Sequence, residues 1–211
     1  MTPRVKVCGI TRVEDASEAV RLGAAALGFV FWPASPRAIS VQAAREVTSA
    51  VPPLVARVGV FVDASADDVA RIADEVGLDA VQLHGDERID GYARVKSRLI
   101  KAVTLNSDDD VFGAAALPAH VTTLVDATDR LRRGGTGQLA DWSHAAALAS
   151  RRPIILAGGL TAGNVAGAIK QVRPWALDVS SGVESAPGIK SRERLEAFFA
   201  AVAGSGGAGQ P

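Results

Sequence analysis

RVKVCGITRVEDASEAVRLGAAALGFVF, residues 4–31, is the stretch that decides the fold. It holds a short β-branched run at Arg4–Cys8, an Ala-rich amphipathic segment at Val13–Leu22 and a second strand-like run at Ala26–Phe31. A helical apolar period between two such runs makes a strand–helix–strand unit. The unit recurs along the chain. Further strands are predicted at Val55–Val62, Ala80–His84, Leu99–Val103, Thr122–Asp126, Ile154–Ala157 and Ala176–Ser180. Helices are predicted at Val41–Ala50, Asp67–Val76, Asp110–Ala116, Ser143–Ala149, Ala162–Val172 and Arg192–Val202. The segment after His84 is the weakest helix, because Gly91 interrupts it. Strands alternating with helices imply an α/β protein with a parallel sheet. Eight strands in about 200 residues suit a single (β/α)8 TIM barrel, and an open doubly wound sheet seldom repeats the unit eight times. SDDD (107–110) and DRLRRGG (129–135) read as loops. The barrel is assigned to residues 1–203. The Gly-rich tail 204–211, GSGGAGQP, offers nothing to bury and is expected to be disordered.

The bulk properties narrow the function classes. At 211 residues and 48% hydrophobic, the chain supports one substantial core and is slightly short for two ordinary domains. Its formal net charge is zero, so neither a nucleic-acid face nor a polybasic membrane anchor is expected. No apolar run approaches the ~20 residues of a membrane span, and MTPRVKVCGIT lacks the apolar stretch of a signal peptide. The single cysteine excludes an intrachain disulfide and fits a reducing, cytoplasmic setting.

Alternate residues of a barrel strand point inward. Lys6 and Cys8 share one parity, as do Arg57 with Gly59, Gln82 with His84, and Asp178 with Ser180, while Lys101 stands among apolar neighbours. Taking these as the inner face predicts an internal polar network with cations in excess, since an unpartnered charge there would be costly.

The active site of such a barrel lies at the C-terminal ends of its strands. The loops after strands seven and eight, LAGGLTAGNV and DVSSGVE, form the expected phosphate site. Gly158 and Gly159 let backbone N–H groups approach an anion, and Ser180, Ser181 and Gly182 supply the second half. Either motif alone would merely turn the chain. Cys8 would by itself be a small buried hydrophobe. At a strand end above Lys6, its thiol is expected to be tuned toward neutrality and to act as a base or a nucleophile. His84 alone of the three histidines stands at a strand end, where it either contacts the ligand or, the preferred reading, satisfies a core hydrogen bond. Asp126 is a loop cap or, with a raised pKa, a general acid. It lies on the arc of strands six, seven, eight and one, so acid, phosphate loops and base would be neighbours. Arg37, in FVFWPASPR, is a bidentate carboxylate ligand or a solvated loop residue.

Taken together, KVCGIT, GFVFWPASPR, VGVFVD, VQLHGDE, LVDA, GGTGQLADW, LAGGLTAGNV and DVSSGVESAPGIKS resemble the phosphoribosylanthranilate isomerase family of tryptophan biosynthesis, in its order and spacing, from Val5 to about Lys190. The resemblance implies an Amadori rearrangement. Asp126 would protonate the ribose ring oxygen and Cys8 would remove the proton from C2. Arg37 would hold the anthranilate carboxylate, and Asp178 would lie near the ring and amino group. The backbone around Gly158, Gly159, Ser180, Ser181 and Gly182 would grip the phosphate. No metal or organic cofactor is implied, because the substrate nitrogen is the electron sink. The expected partner is a small phosphorylated substrate, with no nucleic acid or membrane, and the chain is expected to be a monomer or homodimer. Ala127–Asp141 reads as a cover loop or a plain surface loop. Ala38 stands where many relatives carry an aromatic, with Trp32 a nearby replacement. The alternatives are another sugar-phosphate isomerase, such as that of the histidine pathway, or a noncatalytic phosphate-binding barrel subunit. The first should carry an Asp where Cys8 stands, and the second a degraded acid–base pair.

Overall fold

The structure, a computed structural model, describes residues 2–126 and 142–205. The expected cover loop, 127–141, and the last six residues, 206–211, lie outside the described residues. Eight parallel strands close into a barrel in sequence order: β1 (Arg4–Cys8), β2 (Ala26–Val30), β3 (Ala56–Phe61), β4 (Ala80–Leu83), β5 (Arg98–Val103), β6 (Thr122–Asp126), β7 (Ile154–Ala157) and β8 (Ala176–Val179). β1 pairs with β8 to close the ring, with Lys6 opposite Asp178. Helices α1 (Val13–Arg21), α2 (Val41–Ser49), α3 (Ala66–Val76), α4 (Asp108–Ala115), α5 (Ser143–Ala149), α6 (Val165–Val172) and α7 (Arg192–Ser205) surround it. Among the described residues no helix is long and apolar enough to cross a membrane.

Local chemistry sets the boundaries. Ser40, Ser65 and Ser107 each accept a hydrogen bond from the backbone N–H three residues on, capping α2, α3 and α4. The cap at Ser107 draws the acidic run Asp108–Asp110 into the first turn of α4, where carboxylates complement the helix dipole. That run was expected to be loop. α6 begins at Val165 rather than Ala162. The Asn164 side chain holds the preceding loop instead, accepting from Thr161 N at 2.8 Å and donating to Gly159 O at 2.9 Å. The segment after β4 is only a 3-10 turn, Ile89–Tyr92. α7 runs on through Gly204 and Ser205, two residues beyond the boundary drawn from composition.

An element absent from the sequence-based expectation follows β8: a hairpin of β9 (Glu184–Ala186) and β10 (Ile189–Lys190), antiparallel, with Lys190 opposite Glu184. Pro187-Gly188 forms its turn, with Gly188 at φ 78, the left-handed geometry that a proline-led turn requires at its glycine.

The strands have two apolar faces. Outward residues such as Val7, Phe29, Phe61, Leu83, Leu156 and Leu177 pack with the helices in the main core. Inward, Val58, Ala80, Ile100, Leu124, Ile155 and Ala176 fill the lower barrel, and Cys8, Val30 and Val60 cluster above them. The predicted inner face holds on β1, β4 and β8, where Lys6, Cys8, Gln82 and Asp178 point inward, and is corrected on β3 and β5. Val58 and Val60 take the inner positions of β3, so Arg57 points outward and binds Asp79 at the surface. Gly59 also faces the helices, where a Cβ would stand 2.4 Å from a Leu78 methyl. Lys101 likewise lies outside, donating to Gly85 O at 2.5 Å and to Glu87 at 3.0 Å. Among the described strand residues the interior therefore carries no excess of cations: Lys6 is matched by Asp178 at 2.9 Å.

Candidate active site

The first wall of the mouth is built on β1 and β8. Cys8 ends β1, buried and facing inward. Room for its sulfur comes from Gly28 on β2, where a Cβ would lie 2.8 Å from Sγ. One inner position below, Lys6 donates to Asp178 Oδ1 at 2.9 Å. Burial opposes the charge on Lys6, but the attraction of Asp178 and Cys8, with their hydrogen bonds, outweighs it and holds the ammonium above its ordinary pKa. The Cys8 thiol is pushed up, chiefly by burial. Lys6 and Lys190 pull it down and Asp178 adds to the rise. The cation below Cys8 is thus where the sequence placed it, but it does not bring the thiol toward neutrality. Desolvation is the larger effect, and Lys6 is already shared with Asp178.

Arg37, in the loop after β2, crosses this wall. A Cβ on Gly9 would stand 2.6 Å from Arg37 Cδ and 3.2 Å from Ser180 Oγ, so Gly9, at φ 75, brings Arg37, Ser180 and the strand end of Cys8 together. The guanidinium is bidentate on Glu184, with Nε at 2.8 and 3.1 Å and Nη2 at 2.6 Å. Burial would raise the Glu184 pKa, but the bonds from Arg37 and Lys190 hold it below the usual carboxylate range. Lys190 Nζ donates to Glu184 at 2.8 Å and to Cys8 O at 2.6 Å.

The predicted anion loops meet beside this wall. Gly158 and Gly159 have φ of 92 and 63, which only glycine adopts readily. Ser181–Val183 forms a 3-10 turn. A Cβ on Gly182 would stand 1.9 Å from Leu160 O, so the loops after β7 and β8 are in direct contact. Gly182 thus abuts Leu160 and Thr161, which follow Gly159 in the chain.

The opposite wall is more open. Asp126 ends β6 with its side chain 28% exposed, and His84 Nε2 lies 3.4 Å from its Oδ2. His84 Nδ1 is 2.8 Å from the Gln82 side-chain nitrogen. With that amide donating, Nδ1 accepts and the ring proton sits on Nε2, facing Asp126. His84 is 30% exposed, so it is a residue of the mouth and not only the core hydrogen-bonding group expected. Sequence reasoning also missed Gly28, Glu184 and Lys190. A glycine inside a strand is a signal of close approach, whereas Glu184 and Lys190 meet only through the hairpin.

A buried thiol beside a cation, a half-exposed carboxyl across the mouth, an anion cradle between them and an oriented arginine suit proton transfer on a phosphorylated acid. The comparisons with known proteins agree. Residues 5–201 match the family model described as N-(5'phosphoribosyl)anthranilate (PRA) isomerase. The N-(5'-phosphoribosyl)anthranilate isomerase of Pseudomonas aeruginosa is 46% identical over 200 residues, 94% of each chain. The crystal structure of phosphoribosyl anthranilate isomerase from Thermotoga maritima superposes with a TM-score of 0.88 at 42% identity, covering 96% of this chain and 99% of that one. A crystal structure of such an isomerase in complex with reduced 1-(o-carboxyphenylamino)-1-deoxyribulose 5-phosphate gives 0.85 at 40% identity, with the same coverage. With motif order, barrel and overall similarity in agreement over nearly its full length, the chain belongs to the N-(5'-phosphoribosyl)anthranilate isomerase family.

Proposed function

We propose that this enzyme converts N-(5-phosphoribosyl)anthranilate to 1-(2-carboxyphenylamino)-1-deoxyribulose 5-phosphate in tryptophan biosynthesis, with Asp126 as general acid and Cys8 as general base. The observation that carries the reading is the arc β6–β7–β8–β1, along which a carboxyl, two touching loops and a thiol follow one another around one barrel mouth, with carboxyl and thiol on facing walls. The complex of a relative with a reduced form of this product supports the substrate class.

The chemistry follows from the positions. The Asp126 carboxyl delivers its proton to the ribose ring oxygen as the C1–O bond breaks, and the anthranilate nitrogen supplies the electron pair that makes the iminium. The Cys8 thiolate then takes the C2 proton, and the electrons of that C–H bond flow to the iminium nitrogen, giving an enolamine. Tautomerisation moves the C2 hydroxyl proton away and protonates C1, which leaves the ketone. Lys6 and Lys190 favour the thiolate while it waits for its proton. The N–H groups around Gly158, Gly159, Ser180, Ser181 and Gly182 hold the phosphate. Arg37 receives the anthranilate carboxylate on its Nη1–Nη2 edge, since Glu184 occupies Nε and Nη2 from the other side. Asp178, fixed by Lys6, faces the substrate amine. The substrate supplies its own electron sink, so the reading invokes no cofactor. A cytoplasmic monomer or homodimer fits it.

Cys8 also separates this reading from the histidine-pathway isomerase, which should carry an Asp at that strand end. The test is turnover of phosphoribosylanthranilate generated in situ by the purified chain. Formation of the carboxyphenylamino-deoxyribulose phosphate is expected, and its absence under conditions where a characterised relative is active would refute the assignment.

A further inference from the structure

The hairpin β9–β10 carries two buried charges, Glu184 and Lys190, that touch no reacting atom in the steps above. The Glu184 side chain is 4% exposed and that of Lys190 is fully buried. Among the described residues the Glu184 carboxylate has three partners: the Arg37 guanidinium in a bidentate pair, Lys190 Nζ at 2.8 Å and the Gly188 backbone N–H at 3.3 Å. Lys190 Nζ continues to Cys8 O at 2.6 Å and Ser180 O at 3.4 Å. The hairpin is latched to the start of the chain as well. Thr11 Oγ donates to Gly188 O at 2.6 Å, and Lys190 N donates to Asp15 Oδ2 at 3.0 Å. Asp15 is itself clamped by Arg12 at 2.6 Å.

We propose that Glu184 is a positioning residue: through Arg37 on one side and Lys190 on the other, it fixes the carboxylate-binding arginine against the strand end that carries Cys8, and so sets the preference for an ortho-carboxylate on the substrate ring. The inference rests on the reading of Arg37 as the carboxylate ligand. Three physical points carry it. An arginine in a loop has four rotatable bonds, and a bidentate carboxylate fixes both the position and the plane of its guanidinium. The anchor is itself immobile, because Glu184 is buried and held by the hairpin and by Lys190, whose ammonium is tied to the backbone of Cys8. Ligand site and base therefore share one rigid frame. Charge is the third point. Arg37, Lys190 and Glu184 together are one negative charge short of neutral, and an incoming carboxylate supplies it. A buried carboxylate that only stapled the hairpin would need Lys190 and Gly188, but not a bidentate arginine from the loop after β2.

The test compares two stable ligands, the reduced product and its phenylamino counterpart lacking the ring carboxylate. Their inhibition constants are measured on wild type, Glu184→Gln, Glu184→Asp, Arg37→Ala and the double variant Arg37→Ala/Glu184→Gln. Glu184→Asp keeps the charge beside Lys190 but is too short to hold Arg37 bidentately. In both Glu184 variants the preference for the carboxylated ligand should fall by about tenfold or more, the scale of one charge-assisted contact. Binding of the phenylamino ligand should stay within about twofold, as expected for a ligand that does not use the altered group. On the Arg37→Ala background, Glu184→Gln should change the preference no further. The proposal is overturned by an unchanged preference, by equal weakening of both ligands, or by loss of cooperative unfolding in both Glu184 variants, which would make Glu184 a stability residue only. Failure of wild type to bind either ligand would instead defeat the functional reading beneath it.

Discussion

The two walls of the barrel mouth are built differently. On the β1–β8 wall, Cys8 is buried and surrounded by Lys6, Asp178, Lys190 and Glu184, all nearly inaccessible and all ion-paired or hydrogen-bonded at 2.6–2.9 Å. On the β4–β6 wall, Asp126 and His84 are each about 30% exposed, and their contact is 3.4 Å long. The difference matches the two jobs proposed for Cys8 and Asp126. A thiol that serves as a base must reach its thiolate form without becoming solvated, which calls for fixed positive charges in a dry setting. A carboxyl that gives its proton to a ring oxygen needs access to the ligand. The buried wall should therefore be sensitive to any single change, and the open wall should be sensitive only at the proton donor itself.

The largest expected effects are on turnover. Asp126→Asn and Cys8→Ser should each lower kcat by at least ~10²-fold, the low end for a positioned acid or base. A fall of less than about tenfold in either, measured with phosphoribosylanthranilate generated in situ, would remove that residue from its role.

Stability separates the walls next. Lys6→Met leaves Asp178 buried without its cation and should cost about 3–5 kcal/mol. His84→Asn removes the long contact with Asp126 and the 2.8 Å acceptor of the buried Gln82 amide, and should cost about 1–3 kcal/mol. Equal losses in urea unfolding of the two variants would erase the distinction. The sign with pH follows from Lys6, whose folded pKa is raised above 10.5. Its stabilisation is present at neutral pH and is lost as the pH rises past that value, so Lys6→Met and wild type should converge in stability at high pH.

Arg37→Ala should chiefly weaken substrate binding, raising KM by about tenfold or more with a smaller change in kcat. A fall in kcat at constant KM would contradict the carboxylate role. The smallest effect is the thiol titration. The chain has one cysteine, so thiolate absorbance reports Cys8 alone. Its pKa should lie above 9 in the ligand-free protein, because burial dominates, and Asp178→Asn should lower it. A pKa near 7 would mean that the charges, not burial, control the thiol.

Much of the frame was legible because the barrel repeats one unit and β-branched runs mark it. Arg4–Cys8, Thr122–Asp126 and Ile154–Ala157 are predicted to the residue. Polarity is a poor marker of the inner face on β3 and β5. The lower barrel is apolar, so Val58 and Val60 face in while Arg57 and Lys101 face out. Of the candidate site, Cys8, Asp126, Ser180 and the glycine loops are named from their places at strand ends, where barrel chemistry is position-specific, and Arg37 from its loop after β2. Glu184 and Lys190 could not be assigned a role, although Pro187-Gly188 marked the turn between them. Their function depends on Arg37 arriving from a loop 147 residues away. The level of the Cys8 pKa was also out of reach, since it balances burial against Lys6, Asp178 and Lys190.

The division of labour between the walls is tested most directly by a crystal structure of this enzyme with the reduced product bound. The phosphate should lie on the backbone of Gly158, Gly159, Ser181 and Gly182. The Cys8 sulfur should be within about 4 Å of the carbon corresponding to C2, and an Asp126 oxygen within about 3 Å of the oxygen that closes the ribose ring. Cys8 against that oxygen with Asp126 at C2, or either side chain turned away from the ligand, would contradict the account.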